Sequence, residues 1–196
     1  MRKASRAAAL LAATAVAGLS LAVAPAASAA DSTHRAGTTA AACPTGWGSQ
    51  QKTAVGHASA PAYLTNIRTG SHDCYDRIVF DIPAGSTGQL GYYVQYVDTF
   101  AQDGSGDPIP VSGGAILEIR AGASSYDLEN HKQTYPGKAK QPLPGVDLTG
   151  YKTFRDTKFG ASFEGYTQVG LGLRARLPFK VTQLSDKLVV DVAHSW

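Results

Sequence analysis

The 196-residue chain holds two cysteines, two tryptophans and a single methionine, Met1. Two thiols without further ligands nearby exclude a cysteine-rich metal centre. An even pair in an exported chain reads instead as a disulfide, so Cys43 and Cys74 are expected to be bonded. The loop they enclose corresponds to about 3 to 4 kcal/mol in the chain-entropy description. Long apolar runs are equally scarce. Only residues 7–23 form one, behind Arg2, Lys3 and Arg6 and ahead of Pro25 and the small residues Ala27, Ser28 and Ala29. That order is the pattern of a secretory signal peptide rather than of a membrane anchor, with cleavage expected after Ala29. No cysteine stands where a lipoprotein would need one. The expected product is therefore secreted, extracellular or wall-associated, with no membrane anchor in the mature chain. An excess of one charge is missing too. Arg2, Lys3 and Arg6 account for the whole formal net charge of +3, so the mature chain is near neutral and offers no electrostatic case for nucleic acid or an anionic membrane.

What remains is organised as β-structure. Residues 31–42 carry almost no large apolar side chain, which predicts a flexible leader over 30–42 and a domain over 43–196. Beyond Cys43, short runs rich in Val, Ile, Tyr and Phe alternate with clusters of Gly, Pro, Asp and Ser. Eight strands are predicted, at 63–68, 77–82, 92–98, 115–120, 163–169, 171–177, 179–184 and 187–192. The expected fold is all-β, a sandwich. Residues 103–108 (DGSGDP) read as a turn. Residues 121–150 read as one long loop excursion, with a short helix near 126–132. Residues 76–82 (DRIVFDI) and 186–192 (DKLVVDV) match in chemistry position by position. With period two, Ile78, Phe80 and Ile82 correspond to Leu188, Val190 and Val192, an internal pseudo-repeat that suggests two related halves around one core.

A family resemblance enters at these residues. It rests on Arg68-Thr69-Gly70-Ser71-His72, on residues 76–81, on Gly91-Tyr92 with Tyr96-Val97, and on Asp103-Gly104-Ser105-Gly106. It continues through Phe163-Glu164-Gly165, Pro178-Phe179 and residues 188–194 (LVVDVAH). Together they cover most of 60–196, and over that span the chain resembles the AMIN-like domain of bacterial envelope proteins, a relative of the AMIN domain found beside cell-wall amidases and secretins. The resemblance implies a sandwich of two four-stranded sheets. It also implies a noncatalytic module that binds peptidoglycan or another cell-wall glycopolymer, or that holds another envelope protein. An extracellular protein-interaction or inhibitor domain and a small secreted hydrolase are the alternatives.

Catalytic patterns are sparse. Neither HExxH nor a close histidine pair occurs, and Ser105 and Ser112 lie in Gly-rich turns rather than in a nucleophile elbow. Asp98, Asp103 and Asp107 lack the full calcium-loop pattern. Glu118, Glu129 and Glu164 are the carboxylates open to glycosidase chemistry, Glu164 first among them. No metal and no cofactor is expected. For binding, the run 171–177 (LGLRARL) predicts a strand that turns Arg174 and Arg176 to solvent, where guanidinium forks suit stem-peptide carboxylates. Arg77 is a further candidate, or else the partner of an aspartate on a neighbouring strand. Tyr92, Tyr93 and Tyr96 add faces for a sugar ring where they point outward, or else pack in the core. His72 and His194 each adjoin one copy of the repeated strand, either as strand-end hydrogen bonders or as a ligand pair meeting across the sandwich.

Overall fold

The computed structural model describes residues 42–57, 60–83 and 89–196, and among them there are eleven strands and no helix. The expected signal peptide and nearly all of the expected leader lie outside the described residues. The strands are β1 (Lys52–Ala54), β2 (Asn66–Ser71), β3 (Tyr75–Asp81), β4 (Tyr92–Val97), β5 (Ala115–Ala121), β6 (Tyr126–Asp127), β7 (Lys132–Gln133), β8 (Phe154–Phe163), β9 (Tyr166–Leu173), β10 (Phe179–Leu184) and β11 (Lys187–Ala193). An antiparallel five-stranded sheet, β1-β4-β5-β9-β8, faces an antiparallel four-stranded sheet, β10-β11-β3-β2. The β-sandwich expected from the sequence is thus the fold, with one strand more than two sheets of four.

Alternation of side chains builds the core. Ile78 and Phe80 of β3 and Leu188, Val190 and Val192 of β11 are fully buried, and so are Leu117 and Ile119 of β5 and Val169 and Leu171 of β9. The two matching segments are not strands of separate halves. They are direct neighbours in one sheet, paired antiparallel with Lys187 opposite Asp81 and Asp191 opposite Arg77. Their likeness reflects a shared position at the sheet centre, with one face on the core and the other carrying cross-strand ion pairs.

Three other expectations are corrected. The helix near 126–132 is the β6–β7 hairpin, whose four-residue connection is held by Asp127 Oδ1 accepting from the Glu129 and Asn130 amides. The expected strands 163–169 and 171–177 are joined in a single strand, β9, which runs straight through Gly170 from Tyr166 to Leu173, while Phe163 belongs to β8 and 174–177 to no strand. The strand at 63–68 shifts to begin at Asn66, leaving Tyr63 in an isolated bridge to Ser124. Besides β6 and β7, two strands were not foreseen, β1 and the ten-residue β8.

Gly170 has a physical role that punctuation does not capture. The connection from β4 to β5 crosses the outer face of the five-stranded sheet and buries Phe100 and Ile109 there. A Cβ at Gly170 would meet the Phe100 ring at 2.7 Å, and one at Gly172 would overlap the Ser112 carbonyl. These glycines make room for a third layer. The 103–108 turn sits in that layer, closed by Gln102 N donating to Asp107 O at 2.8 Å, with φ of 87° at Gly104 and 75° at Gly106.

Candidate functional site

One row of outward side chains on the five-stranded sheet follows from register alone. Thr53 pairs with Tyr93, Tyr93 with Arg120, and Arg120 with Gln168. At the end of this row the β8–β9 hairpin turns back through Glu164 and Gly165, between the paired residues Phe163 and Tyr166. Both turn residues have positive φ, 46° and 82°, as a two-residue type I′ connection requires. The hairpin rim, the row and the Gly104 turn enclose a pocket of about 440 Å³. Tyr93, Phe163 and Tyr166 supply aromatic faces, and Asp103, Arg120 and Glu164 supply charge.

A buried polar network sets the electrostatics of this pocket. Arg120 donates to Asp103 through Nη2 and to Glu118 through Nε at 3.2 Å. Glu118, buried, also accepts from Gln168 at 2.7 Å and Gln95 at 3.1 Å. Gln168 in turn accepts from the Asp103 amide at 2.9 Å. Arg120, the one cation among the described residues of the lining, is therefore engaged by two carboxylates. Burial above all pushes the Asp103 carboxyl up from the ordinary range; Arg120 opposes this, and Glu118 and Glu164 add to it. A folded value above the unfolded one means that the contribution of Asp103 to stability is present at low pH and is lost as pH rises through the folded value. At neutral pH the fold holds this carboxylate at a cost, a pattern associated with functional sites.

Glu164 carries a similar cost in backbone geometry. Type I′ turns favour Asn or Gly at the first central position, and a left-handed conformation is unfavourable for longer side chains. Glu164→Asn is expected to raise the unfolding free energy by about 0.5 to 1 kcal/mol, and, if the pocket binds a ligand, to weaken that binding by removing a rim carboxylate. Urea denaturation and a binding titration on the same variant check both halves.

The remaining candidates lie elsewhere. Arg174 and Arg176 follow the end of β9 in the connection to β10, not on a strand. Arg174 donates to the His194 carbonyl, whereas the Arg176 guanidinium stacks 4.8 Å from the Tyr96 ring centroid, so they do not form a paired guanidinium face. Arg77 makes a two-point ion pair with Asp191, at 2.6 and 2.9 Å, and lies over Tyr75. His72 stacks on Tyr75 with centroids 4.5 Å apart. His194 Nε2 lies 3.0 Å from Asp76 Oδ1 and Nδ1 3.1 Å from Asp73 O. His72 stands in the turn between β2 and β3 and His194 follows β11 beside that turn, on separate partners and at one end of one sheet rather than across the sandwich.

Of the carboxylates open to catalysis, Glu118 is locked in the network, Glu164 stands on the pocket rim, and Glu129 lies on the β6–β7 connection. Asp107 pairs with Lys140 at 3.2 Å, away from Asp103 and its arginine. No group of three metal-ligating side chains exists among the described residues. Arg120 was missed in the sequence because nothing local marks it: its significance comes from the register that sets it beside Tyr93.

Comparison with known proteins follows this geometry. The AMIN-like domain family model matches residues 62–194, which include β2 to β11 and all of the pocket except its β1 edge. No curated protein and no solved structure matches the chain. With about two thirds of its length matched, the chain belongs to the AMIN-like domain family.

Proposed function

We propose that this protein is a noncatalytic envelope module that binds a cell-wall glycan in the pocket on the outer face of its five-stranded sheet. AMIN-like domains are in general noncatalytic modules of envelope proteins. The observation that carries the reading is the pairing of three aromatic side chains, Tyr93, Phe163 and Tyr166, with the acceptors Asp103 and Glu164 around one concave surface. Aromatic faces take the apolar faces of sugar rings, and fixed carboxylates accept their hydroxyls. Residues 1–29, read as a secretory leader, would bring the domain to the wall. No helix of the described residues is long and apolar enough to cross a membrane.

Capture of stem-peptide carboxylates by Arg174 and Arg176 is the alternative: Arg174 donates to the His194 carbonyl and Arg176 lies over Tyr96, whereas Arg77 and Arg120 are each paired with carboxylates of the fold. Co-sedimentation with purified peptidoglycan sacculi tests the proposal. Wild type should pellet with sacculi, and Tyr93→Ala with Tyr166→Ala should weaken retention about tenfold, the loss of two stacking contacts. Arg174→Ala with Arg176→Ala should leave it unchanged. A protein that stays in the supernatant would favour the protein-interaction reading.

A further inference from the structure

Seven large hydrophobic side chains are exposed among the described residues, and five of them gather at one end of the sandwich. Val55, Phe163 and Tyr166 line the pocket described above. Tyr126 and Leu128 line a second, of about 380 Å³, with Tyr63 and Glu129. Glu164 belongs to the first lining and Gly165, its neighbour in sequence, to the second. The tip of the β8–β9 hairpin is thus the ridge between two cavities. Ser162 pins it, with its hydroxyl 3.1 Å from the Ser124 hydroxyl and accepting from the Ser125 amide at 2.9 Å. Such clustering of apolar surface on a small domain marks a binding region.

We infer that the two cavities are consecutive subsites of one groove, which takes a linear, uncharged glycan across the hairpin tip. This deepens the wall-binding reading and rests on it for the first subsite. The charges of the lining disfavour an anionic ligand, and its carboxylate acceptors beside aromatic faces suit one rich in hydroxyls. Asp103 and Glu164 stand in one cavity and Glu129 in the other, while Arg120 is already engaged by two carboxylates. Burial, with the neighbouring Asp127 carboxylate that takes the hydrogen bond of the Tyr63 hydroxyl and with Glu129, holds the Tyr63 phenol pKa up. The groove therefore offers acceptors and ring faces and, among the described residues, no open site for an anion. Its shape favours the same occupant. Each cavity has the size of a small-molecule site, and a ridge divides them, whereas a stable protein partner needs about 800 Å² of complementary surface.

Titration calorimetry with β-linked N-acetylglucosamine dimer and tetramer, at low and high salt, tests the inference. The tetramer should bind about three- to tenfold more tightly than the dimer, the gain from added ring contacts. Tyr126→Ala with Leu128→Ala should erase that gain and leave dimer binding intact. Both side chains are exposed, so the fold should tolerate the change, and circular dichroism verifies it. Affinity should not respond to salt, because the ligand is uncharged. Equal affinity for dimer and tetramer, or a length gain that survives the double substitution, would overturn the second subsite. So would binding that is confined to cationic peptides and weakens with salt. Sacculus retention without a length gain would leave the one-pocket reading standing. A length gain without sacculus retention would remove the wall reading and keep the groove.

Discussion

Asp76→Ala is expected to lower the unfolding free energy by about 3 to 5 kcal/mol, the loss that follows removal of one partner from a buried charged cluster. Asp76 is completely inaccessible to solvent. Its Oδ2 accepts from the amides of Thr153 at 2.6 Å and Phe154 at 3.2 Å, and its Oδ1 faces Ser71 Oγ and His194 Nε2, each at 3.0 Å. One side chain on β3 thereby ties the four-stranded sheet to the start of β8 in the other sheet. Truncation would leave two buried amides without acceptors, each costing about 1 to 3 kcal/mol. Asp76→Asn keeps one acceptor oxygen for those amides and should recover part of the loss. The measurement is the urea midpoint at constant m. A midpoint indistinguishable from wild type would show that water replaces the carboxylate at no cost.

Removing the Cys43–Cys74 disulfide is the second large effect, about 3 to 4 kcal/mol for a bridge spanning 31 residues in the chain-entropy description. For a domain of this size that lowers the melting temperature by about 10 °C. The bridge fastens the segment before β1 to the β2–β3 turn, next to the Gly48 carbonyl that accepts from Phe179 N at 2.9 Å. That turn belongs to the four-stranded sheet, whereas the pocket lies on the outer face of the five-stranded one. Cys43→Ser with Cys74→Ser should therefore lose stability and retain sacculus binding below its melting temperature. Thermal scans with and without reductant, together with co-sedimentation of the double variant, separate the two consequences. Binding lost while the fold persists would show that the N-terminal segment contributes to the site.

Legibility in the sequence tracked the range of the interactions involved. β3, β5, β10 and β11 were found within a residue or two, since period-two alternation and flanking turn residues are local. β8 was missed because bulges between Phe154 and Asp156 and between Phe159 and Ser162 break its alternation. β9 was split in two because Gly170 resembles a turn residue, and only the Phe100 ring above it explains the glycine. The arginines at 174 and 176 continue the alternating pattern of β9, yet pairing ends at Leu173 and the chain turns away. Alternation cannot report where a strand loses its neighbour.

Composition and spacing by themselves determined the all-β class, the bonded cysteines, the turn at 103–108 and enough of the family pattern to place the chain among AMIN-like domains. Only the tertiary structure decided the site. Tyr93 and Arg120 are 27 positions apart in the chain, and the hairpin at Glu164 is farther still. Antiparallel register, crossover order and a loop laid over two glycines bring them to one surface, and none of these is written in any local stretch of residues.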